Sequence, residues 1–194
     1  ATLNNYLEFK GRKDLNITGP NLWYLVGLIT SDGCLSKDGR HIDITSSEEN
    51  YLLRLKKAIG LSNKVAAKHG GNKNIAYRIQ FANRQFYDFL LSIGLTPRKS
   101  LTLKNLKIDK NYFHDFLRGL IDGDGCIRRW FHTTNYNQQW SLRIYSGSKE
   151  FIEWLDNTIE SLYSAKGGLH INNKKGILYV LKYGKMAARE ILKT

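Results

Sequence analysis

The chain has 194 residues, 42% hydrophobic and 12% aromatic, which is enough for a packed core and excludes a disordered tail. Thirty Lys and Arg against 17 Asp and Glu give a net charge of +13, which favours nucleic acid, and after it an acidic membrane surface, as partner. No run reaches the ~18 apolar residues of a membrane helix, none reads as a signal peptide, and two cysteines are too few for a disulfide scaffold or a four-ligand zinc site. We therefore expect an intracellular protein, cytoplasmic or organellar, with no membrane partner; on charge alone, a merely basic soluble protein stays open.

The first half begins with a polar leader, residues 1–19, which we expect to lie strapped across the surface. Pro20 suits the first turn of a helix, and apolar residues recur at helical spacing up to Ile29. A short alternating strand and an amphipathic helix follow within HIDITSSEENYLLRLKKAIG (41–60), and a second strand and helix lie within 75–94.

The second half repeats this pattern. LVGLITSDGCL (25–35) returns 92 residues later as LRGLIDGDGCI (117–127), and residues 141–160 match 41–60 at an offset of about 100, so the second copy carries a longer hairpin. Asp109 is placed to cap the second motif helix.

The repeat predicts an α+β fold made of two α-β-β-α-β-β-α halves. We expect a leader at 1–19, the first half at 20–97, a connection at 98–110 and the second half at 111–194. In the connection, the apolar residues Leu101, Leu103, Leu106 and Ile108 should pack.

Gly27 and Gly119 lie at matching places inside the two motif helices, where a glycine costs about 1 kcal/mol relative to alanine. Two matched glycines suggest that the helices pack against each other, which would bring Asp32 and Asp124 side by side at the helix ends. Carboxylates at negative helix ends are stabilised by divalent cations, and hard oxygen ligands suit Mg²⁺ and metal-assisted phosphodiester hydrolysis.

Other interpretations of the motifs were weighed. A single Asp-Gly after a helix is ordinarily a turn. Asp122-Gly-Asp124-Gly resembles the start of a calcium loop but fails at Cys126 and Ile127. Asp122 is matched by Thr30, so a capping or structural role is expected for it. The matched thiols Cys34 and Cys126 are interpreted as small residues at strand starts.

If the apolar face of each sheet packs on the helices, strand alternation leaves the other face for the nucleic acid that the net charge favours. Arg and Gln on that face would read guanine and adenine, Asp43 could accept from cytosine, and lysines would contact phosphates. The expected DNA-binding residues are Ser36, Lys37, Asp38, Arg40, His41, Asp43, Thr45, Lys73, Arg78, Gln80, Arg128, Arg129, Trp130, His132, Ser141, Arg143, Tyr145, Lys174, Lys175 and Lys182.

The two motifs make the chain resemble the single-chain LAGLIDADG homing endonucleases. LRGLIDGDG (117–125) matches the nine-residue motif except at Arg118 and Gly123, and LVGLITSDG (25–33) is looser, with Thr30 and Ser31 at the sixth and seventh places. The resemblance, from about residue 20 to 194, implies a fused pseudo-dimer with the motif helices at its centre. It also implies two saddle-shaped antiparallel sheets lying in the major grooves of a long pseudo-palindromic duplex.

The resemblance further implies a monomeric, metal-dependent hydrolase that takes part in intron homing. Such an enzyme cuts both DNA strands and leaves 3′ overhangs. Asp32 and Asp124 would bind Mg²⁺ or Mn²⁺ with help from the backbone carbonyls of Ser31 and Gly123, and Lys99 would lie near the hydrolytic water. Because the chain ends at Lys193-Thr194, we expect the segment equivalent to that of Lys99 to be absent or only begun in the second half, and the two half-sites to be unequal. The alternative function is a non-cleaving RNA maturase or DNA-binding regulator on the same scaffold.

Overall fold

The computed structural model describes residues 8–10, 15–69, 75–173 and 176–193. The described residues fall into two compact units, one drawn from 1–98 and 107–123, the other from 99–106 and 124–194. The units do not follow the two sequence repeats, because most of the second motif helix belongs to the first unit. The connection predicted at 98–110 is divided between them.

The first unit contains a two-stranded ribbon, a four-stranded sheet and three helices, together with most of a fourth helix, α4. In chain order its elements are β1 (Glu8–Phe9), β2 (Leu15–Asn16), α1 (Gly19–Ser31), β3 (Gly33–Leu35), β4 (His41–Ser46), α2 (Glu49–Ala58), β5 (Val65–His69), β6 (Ile75–Ala82), α3 (Arg84–Ser92), a 3₁₀ turn (Lys110–Tyr112) and α4 (Phe113–Asp124).

The sheet of the first unit is antiparallel in the order β3-β4-β6-β5. Ile42 and Ile44 point to its helix-covered face and are fully buried, while Asp43 between them pairs with Gln80 on the opposite face. The alternation predicted for β4 therefore matches the structure.

The ribbon β1–β2 occupies part of the predicted leader, whose residues 1–7 and 11–14 lie outside the described range. Its residues Phe9 and Leu15 are buried, and Phe9 packs edge-on against Phe86 of α3 with 4.9 Å between ring centroids. Asn83, which caps α3, also donates a side-chain hydrogen bond to the Phe9 carbonyl over 2.8 Å. The leader thus adds apolar burial and a hydrogen bond to the first unit.

The second unit has a four-stranded sheet and two helices, and it begins with a 3₁₀ turn at Lys99–Leu101. Its other elements are β7 (Gly125–Phe131), β8 (Gln138–Ser146), α5 (Lys149–Tyr163), β9 (Gly168–Asn172), β10 (Leu178–Tyr183) and α6 (Lys185–Leu192). The sheet is antiparallel in the order β7-β8-β10-β9. Leu142 and Ile144 of β8 are buried together with Leu155 of α5.

The described residues therefore form an α+β fold with two antiparallel four-stranded sheets and six α-helices in two repeats, as the sequence predicts. The connection differs in one respect: Leu103 and Leu106 are buried, but Leu101 is 74% exposed and does not pack as expected. No helix in the described part of the chain is long and apolar enough to cross a membrane.

Candidate nucleic-acid interface and motif acids

The motif helices α1 and α4 approach each other through their glycines within the first unit. A Cβ placed on Gly27 would lie 2.0 Å from the Phe116 carbonyl oxygen, and one on Gly119 would lie 2.0 Å from that of Tyr24. Neither contact leaves room for a methyl group, because each obstacle is backbone rather than a mobile side chain. Glycine at both positions is what permits this helix–helix packing.

The same close approach continues to the motif ends. A Cβ on Gly123 would lie 2.0 Å from Ser31 Oγ and 3.3 Å from Asp32 Oδ2. The Ser31 hydroxyl itself donates back to carbonyls of its own helix, 3.1 Å from the Leu28 oxygen. The backbone of Gly123 therefore lies directly against the end of α1.

Asp32 caps the C-terminus of α1, and its side chain is exposed. A carboxylate at this negative helix end gains from a neighbouring cation. Asp124 is the last residue of α4 and is exposed as well. Both motif acids thus occupy helix C-termini with their carboxylates accessible.

Asp32 lies in a cleft of about 400 Å³ in the first unit. The cleft is lined by Asp32, Thr45, Ser46, Ser47, Glu48, Tyr51, Ala76, Asp122 and Gly123. The side-chain atoms in this set that could bind a metal are all oxygens, and the set contains neither imidazole nor thiol. The cleft therefore fits a hard cation such as Mg²⁺ or Ca²⁺ better than zinc. Among the described residues, no three His, Cys, Asp or Glu side chains form a ready-made metal cluster, so further ligands would have to come from backbone, water or substrate.

A hydrogen-bond chain links three elements at this cleft. Tyr24 of α1 donates to Asp122 Oδ2 over 2.7 Å, and its oxygen lies 3.0 Å from the hydroxyl of Tyr51 on α2. Because the Tyr24 proton points to the carboxylate, Tyr51 donates to Tyr24. Burial raises the pKa of Tyr24, and the hydrogen bond that it donates to Asp122 raises it further. Burial also raises the pKa of Tyr51, so both phenols keep their protons near neutral pH.

This chain of hydroxyls explains Asp122, for which the sequence indicated a capping or structural role. Tyr24 and Tyr51 were not found from the sequence, because nothing in the spacing of α1, α2 and α4 pairs them. The nearest signal was Tyr24's place one residue before the LVGLITSDG motif.

Lys99 lies in the second unit, in the 3₁₀ turn that begins it, and is only 6% exposed. Its carbonyl accepts hydrogen bonds from Leu103 over 2.8 Å and from Thr102 over 3.0 Å. The backbone of Lys99, which was predicted to lie near the hydrolytic water, is therefore held by local hydrogen bonds.

In the first unit, the sheet face that is expected to lie in the DNA groove carries charged side chains that pair with one another. Arg78 Nε lies 3.6 Å from Asp43 Oδ1 across the β4–β6 pair. Asp38 accepts hydrogen bonds from the backbone and ring of His41, which lower the pKa of this carboxyl to about 2. The structure places the remaining expected residues around these pairs, either on the same face or in the 36–40 turn: Ser36, Lys37, Arg40, Thr45 and Gln80.

In the second unit, a hollow of about 300 Å³ opens on the corresponding face. It is lined by Arg143, Tyr145, His170, Ile171, Asn172, Val180 and Lys182. His170 and Asn172 of β9 were missed from the sequence, although their register with β10 puts them on this face. Among the described residues, the buried Nε of Arg143 has no hydrogen-bond partner, whereas Asp43 Oδ1, which also accepts no hydrogen bond, is ion-paired with Arg78.

The hairpin β7–β8 carries the other expected residues of this unit. Register places Arg128 and Trp130 on the face of Arg143, whereas Arg129 points to the opposite face, and His132 lies in the turn.

Ser141 does not present its side chain as expected, because it is fully buried. Its neighbours on the face are the longer Gln139 and Arg143, and its cross-strand partner is Arg128, so a hydroxymethyl group does not reach past them. Lys73, Lys174 and Lys175 lie outside the described residues. Cys34 and Cys126 are free, exposed thiols at the starts of β3 and β7.

Comparison with known proteins places this geometry in context. The family model for a LAGLIDADG-like domain matches residues 19–94. No curated protein matches the chain. Full-length DUF199/WhiA from Thermatoga maritima superposes with a TM-score of 0.59 at 19% identity, over 90% of this chain and 54% of that one. The chain therefore spans about half the length of that protein.

Two homing endonucleases are also similar in structure. I-WcaI, bound to its DNA recognition sequence, gives a TM-score of 0.64 at 14% identity, over 90% of this chain and 79% of that one. I-DmoI, in complex with DNA and Ca, gives 0.56 at 18% identity, over 90% and 86%. At these identities the likeness concerns the fold. Residues 19–94 match the LAGLIDADG-like domain, and the chain shares the two-repeat α+β fold of the LAGLIDADG homing endonucleases.

Proposed function

We propose that the chain is a site-specific endonuclease that hydrolyses both strands of a long pseudo-palindromic DNA duplex and acts as a monomer. The observation that carries this proposal is the exposed carboxylate of Asp32 at the C-terminus of α1, in a cleft lined by oxygen donors. Asp124 ends the second motif helix in the same way. A protein that only bound nucleic acid would have no chemical need for a carboxylate at both positions.

In this proposal Asp32 and Asp124 hold divalent metal, Mg²⁺ or Mn²⁺, with the backbone carbonyls of Ser31 and Gly123. When bound, the metal would lower the pKa of a water molecule and stabilise the leaving oxygen. Tyr24 holds the Asp122 carboxylate at the edge of the cleft. Lys99 is proposed to act on the hydrolytic water.

The sheet faces would supply affinity and sequence readout. The net charge of +13 favours a polyanion, and I-WcaI and I-DmoI, which share the fold, were solved with DNA. Arg143 on β8, Lys182 on β10 and Arg78 on β6 line faces that the helices leave uncovered. Arginine suits bidentate contacts with guanine, whereas lysine suits phosphates.

The second candidate is a non-cleaving nucleic-acid-binding protein on the same scaffold. It is favoured by the fold similarity to DUF199/WhiA, whose N-terminal LAGLIDADG domain has the same scaffold. The two candidates make the same prediction for binding and opposite predictions for cleavage in Mg²⁺.

The deciding experiment begins with a duplex selected from a randomised library by the wild-type chain in Ca²⁺. That duplex is then incubated in Mg²⁺ with wild type, Asp32→Asn, Asp124→Asn and the control Asp88→Asn, whose carboxylate lies on the exposed side of α3. We expect cleavage by wild type and the control, and binding without cleavage by the two motif variants. Binding without cleavage by wild type would support the second candidate, and unchanged cleavage by both motif variants would refute the site assignment.

A further inference from the structure

The hairpin that follows each motif helix begins in the same register but differs in length. Gly33 pairs with Ile44 in the first unit, and Gly125 pairs with Ile144 in the second. The first ladder ends at Leu35, whereas the second continues to Phe131. The second ladder thus pairs four more residues on each strand, and these paired residues and their turn, 128–141, form a hairpin extension that the first unit lacks.

The direction of the extension follows from the chain. β7 starts directly after Asp124, so the extension runs away from the motif acid. Four strand residues span roughly 13 Å, since a strand rises about 3.3 Å per residue. Along a duplex, where phosphates of one strand are spaced about 3.4 Å apart along the axis, that distance corresponds to about four base pairs.

The extension exposes apolar and aromatic side chains on both of its faces. Phe131 is 59% exposed and Tyr136, in the turn, is 78% exposed. Trp130 is also exposed and points to the opposite face from Phe131. A two-stranded hairpin without a covering layer is only marginally stable in water, so these rings are placed to gain from a partner that covers them.

The charge of this segment identifies the kind of partner. Residues 128–141 contain two arginines and one histidine but no aspartate or glutamate. Asn135, Asn137, Gln138 and Gln139 add amide groups of the kind that pair with adenine. Cationic, amide-rich and aromatic side chains together fit duplex DNA, whose phosphates, base edges and thymine methyl groups each find a matching group.

We propose that the hairpin extension contacts duplex DNA farther from the motif acids than the shorter β3–β4 hairpin of the first unit does. The half-site read by the second half is therefore about four base pairs longer than the half-site read by the first. This inference rests on the proposed function, because it takes the motif acids as the centre from which distance along the DNA is counted. The sheet face of Arg143 continues onto the extension through Arg128 and Trp130, which carries the groove contact outward.

The test is a hydroxyl-radical footprint on the duplex selected from the randomised library, in Ca²⁺, with three variants. One deletes residues 128–131 and 138–141, which equalises the two hairpins and keeps the inside–outside alternation. The second combines Phe131→Thr with Tyr136→Asn; asparagine tolerates the positive φ of 53° at position 136. The control is Ile177→Thr, an equally exposed apolar residue outside the extension.

Wild type should protect about four more base pairs on one side of the cut, and the deletion should remove that difference. The double substitution should weaken binding about tenfold while the control leaves it unchanged. A footprint of equal length on both sides, or one unaffected by the deletion and the double substitution, would overturn the inference and leave the proposed function standing. Selection of no duplex would overturn both. Self-association of wild type that the double substitution abolishes would assign the extension to a protein interface instead.

Discussion

Tyr24 donates a hydrogen bond to Oδ2 of Asp122 over 2.7 Å and thereby joins the first motif helix to the second. Tyr24→Phe removes this bond and the one from Tyr51, while it keeps the ring beneath the Arg118 guanidinium, 4.9 Å from the ring centroid. Because the site is partly exposed, we expect a loss of about 1 kcal/mol in the free energy of unfolding, measured by urea denaturation. Cleavage should slow as Asp122 loses its fixed position.

A double-mutant cycle with Asp122→Ala separates this contact from general damage. If Tyr24 acts through Asp122, the two losses will be less than additive. Strict additivity would show that the hydrogen bond carries no coupling, whatever the size of each single effect.

Gly27→Ala and Gly119→Ala should each be severely destabilising. The added Cβ would lie 2.0 Å from a backbone carbonyl oxygen of the facing helix, so the two helices would have to separate. The gain of about 1 kcal/mol in helix propensity does not compensate for overpacking, which costs about 1–3 kcal/mol or more against an obstacle that cannot yield.

Gly168→Ala is the matched control for this prediction, because a Cβ there would meet no atom closer than 3.4 Å. Thermal denaturation of the three variants should leave the control near wild type and lower the other two. Wild-type stability of Gly27→Ala would contradict the close helix contact.

The architecture could be predicted from the sequence because its signals are local and occur twice. Alternation around Ile42 and Ile144 marks the buried sheet faces, and the motif glycines mark the helix contact. Two copies of each signal reduce the ambiguity that either copy alone would leave.

The hydrogen-bond chain through Tyr24 and Tyr51, and the exposure of individual surface residues, could not be predicted in this way. Tyr24 and Tyr51 meet only through tertiary structure. Alternation assigns Ser141 to a sheet face but does not reveal that longer neighbours cover it. Likewise, the apolar character of Leu101 predicts burial, yet its 3₁₀ turn leaves it in solvent.

The Asp38–His41 pair predicts a specific acid sensitivity. Hydrogen bonds from His41 lower the Asp38 pKa from its ordinary 3.8 to about 2. Since the folded-state pKa is depressed, the stabilisation is complete above about pH 4 and is lost as the pH falls through about 2. Urea midpoints measured between these limits should fall less steeply for Asp38→Asn than for wild type, with Asp88→Asn as the control for an exposed carboxylate. Identical slopes for Asp38→Asn and wild type would show that the pair does not affect folding.

Arg143 and Lys37 should differ in the way they contribute to DNA binding. The buried Nε of Arg143 has no hydrogen-bond partner in the described part of the chain, and its side chain lines the hollow on the groove face, so it is placed to read a base edge. Arg143→Gln should therefore relax preference at one position of the selected duplex, at a cost of about 1–3 kcal/mol.

Lys37 is exposed in the turn between β3 and β4 and suits a phosphate. Lys37→Gln should weaken binding to all duplexes alike and reduce the slope of log affinity against log salt by about one. Titrations at several salt concentrations, on the selected duplex and on single-position variants of it, distinguish the two roles. If Arg143→Gln lowered the salt slope and left base preference intact, Arg143 would be a phosphate contact and the hollow would not be a reading site.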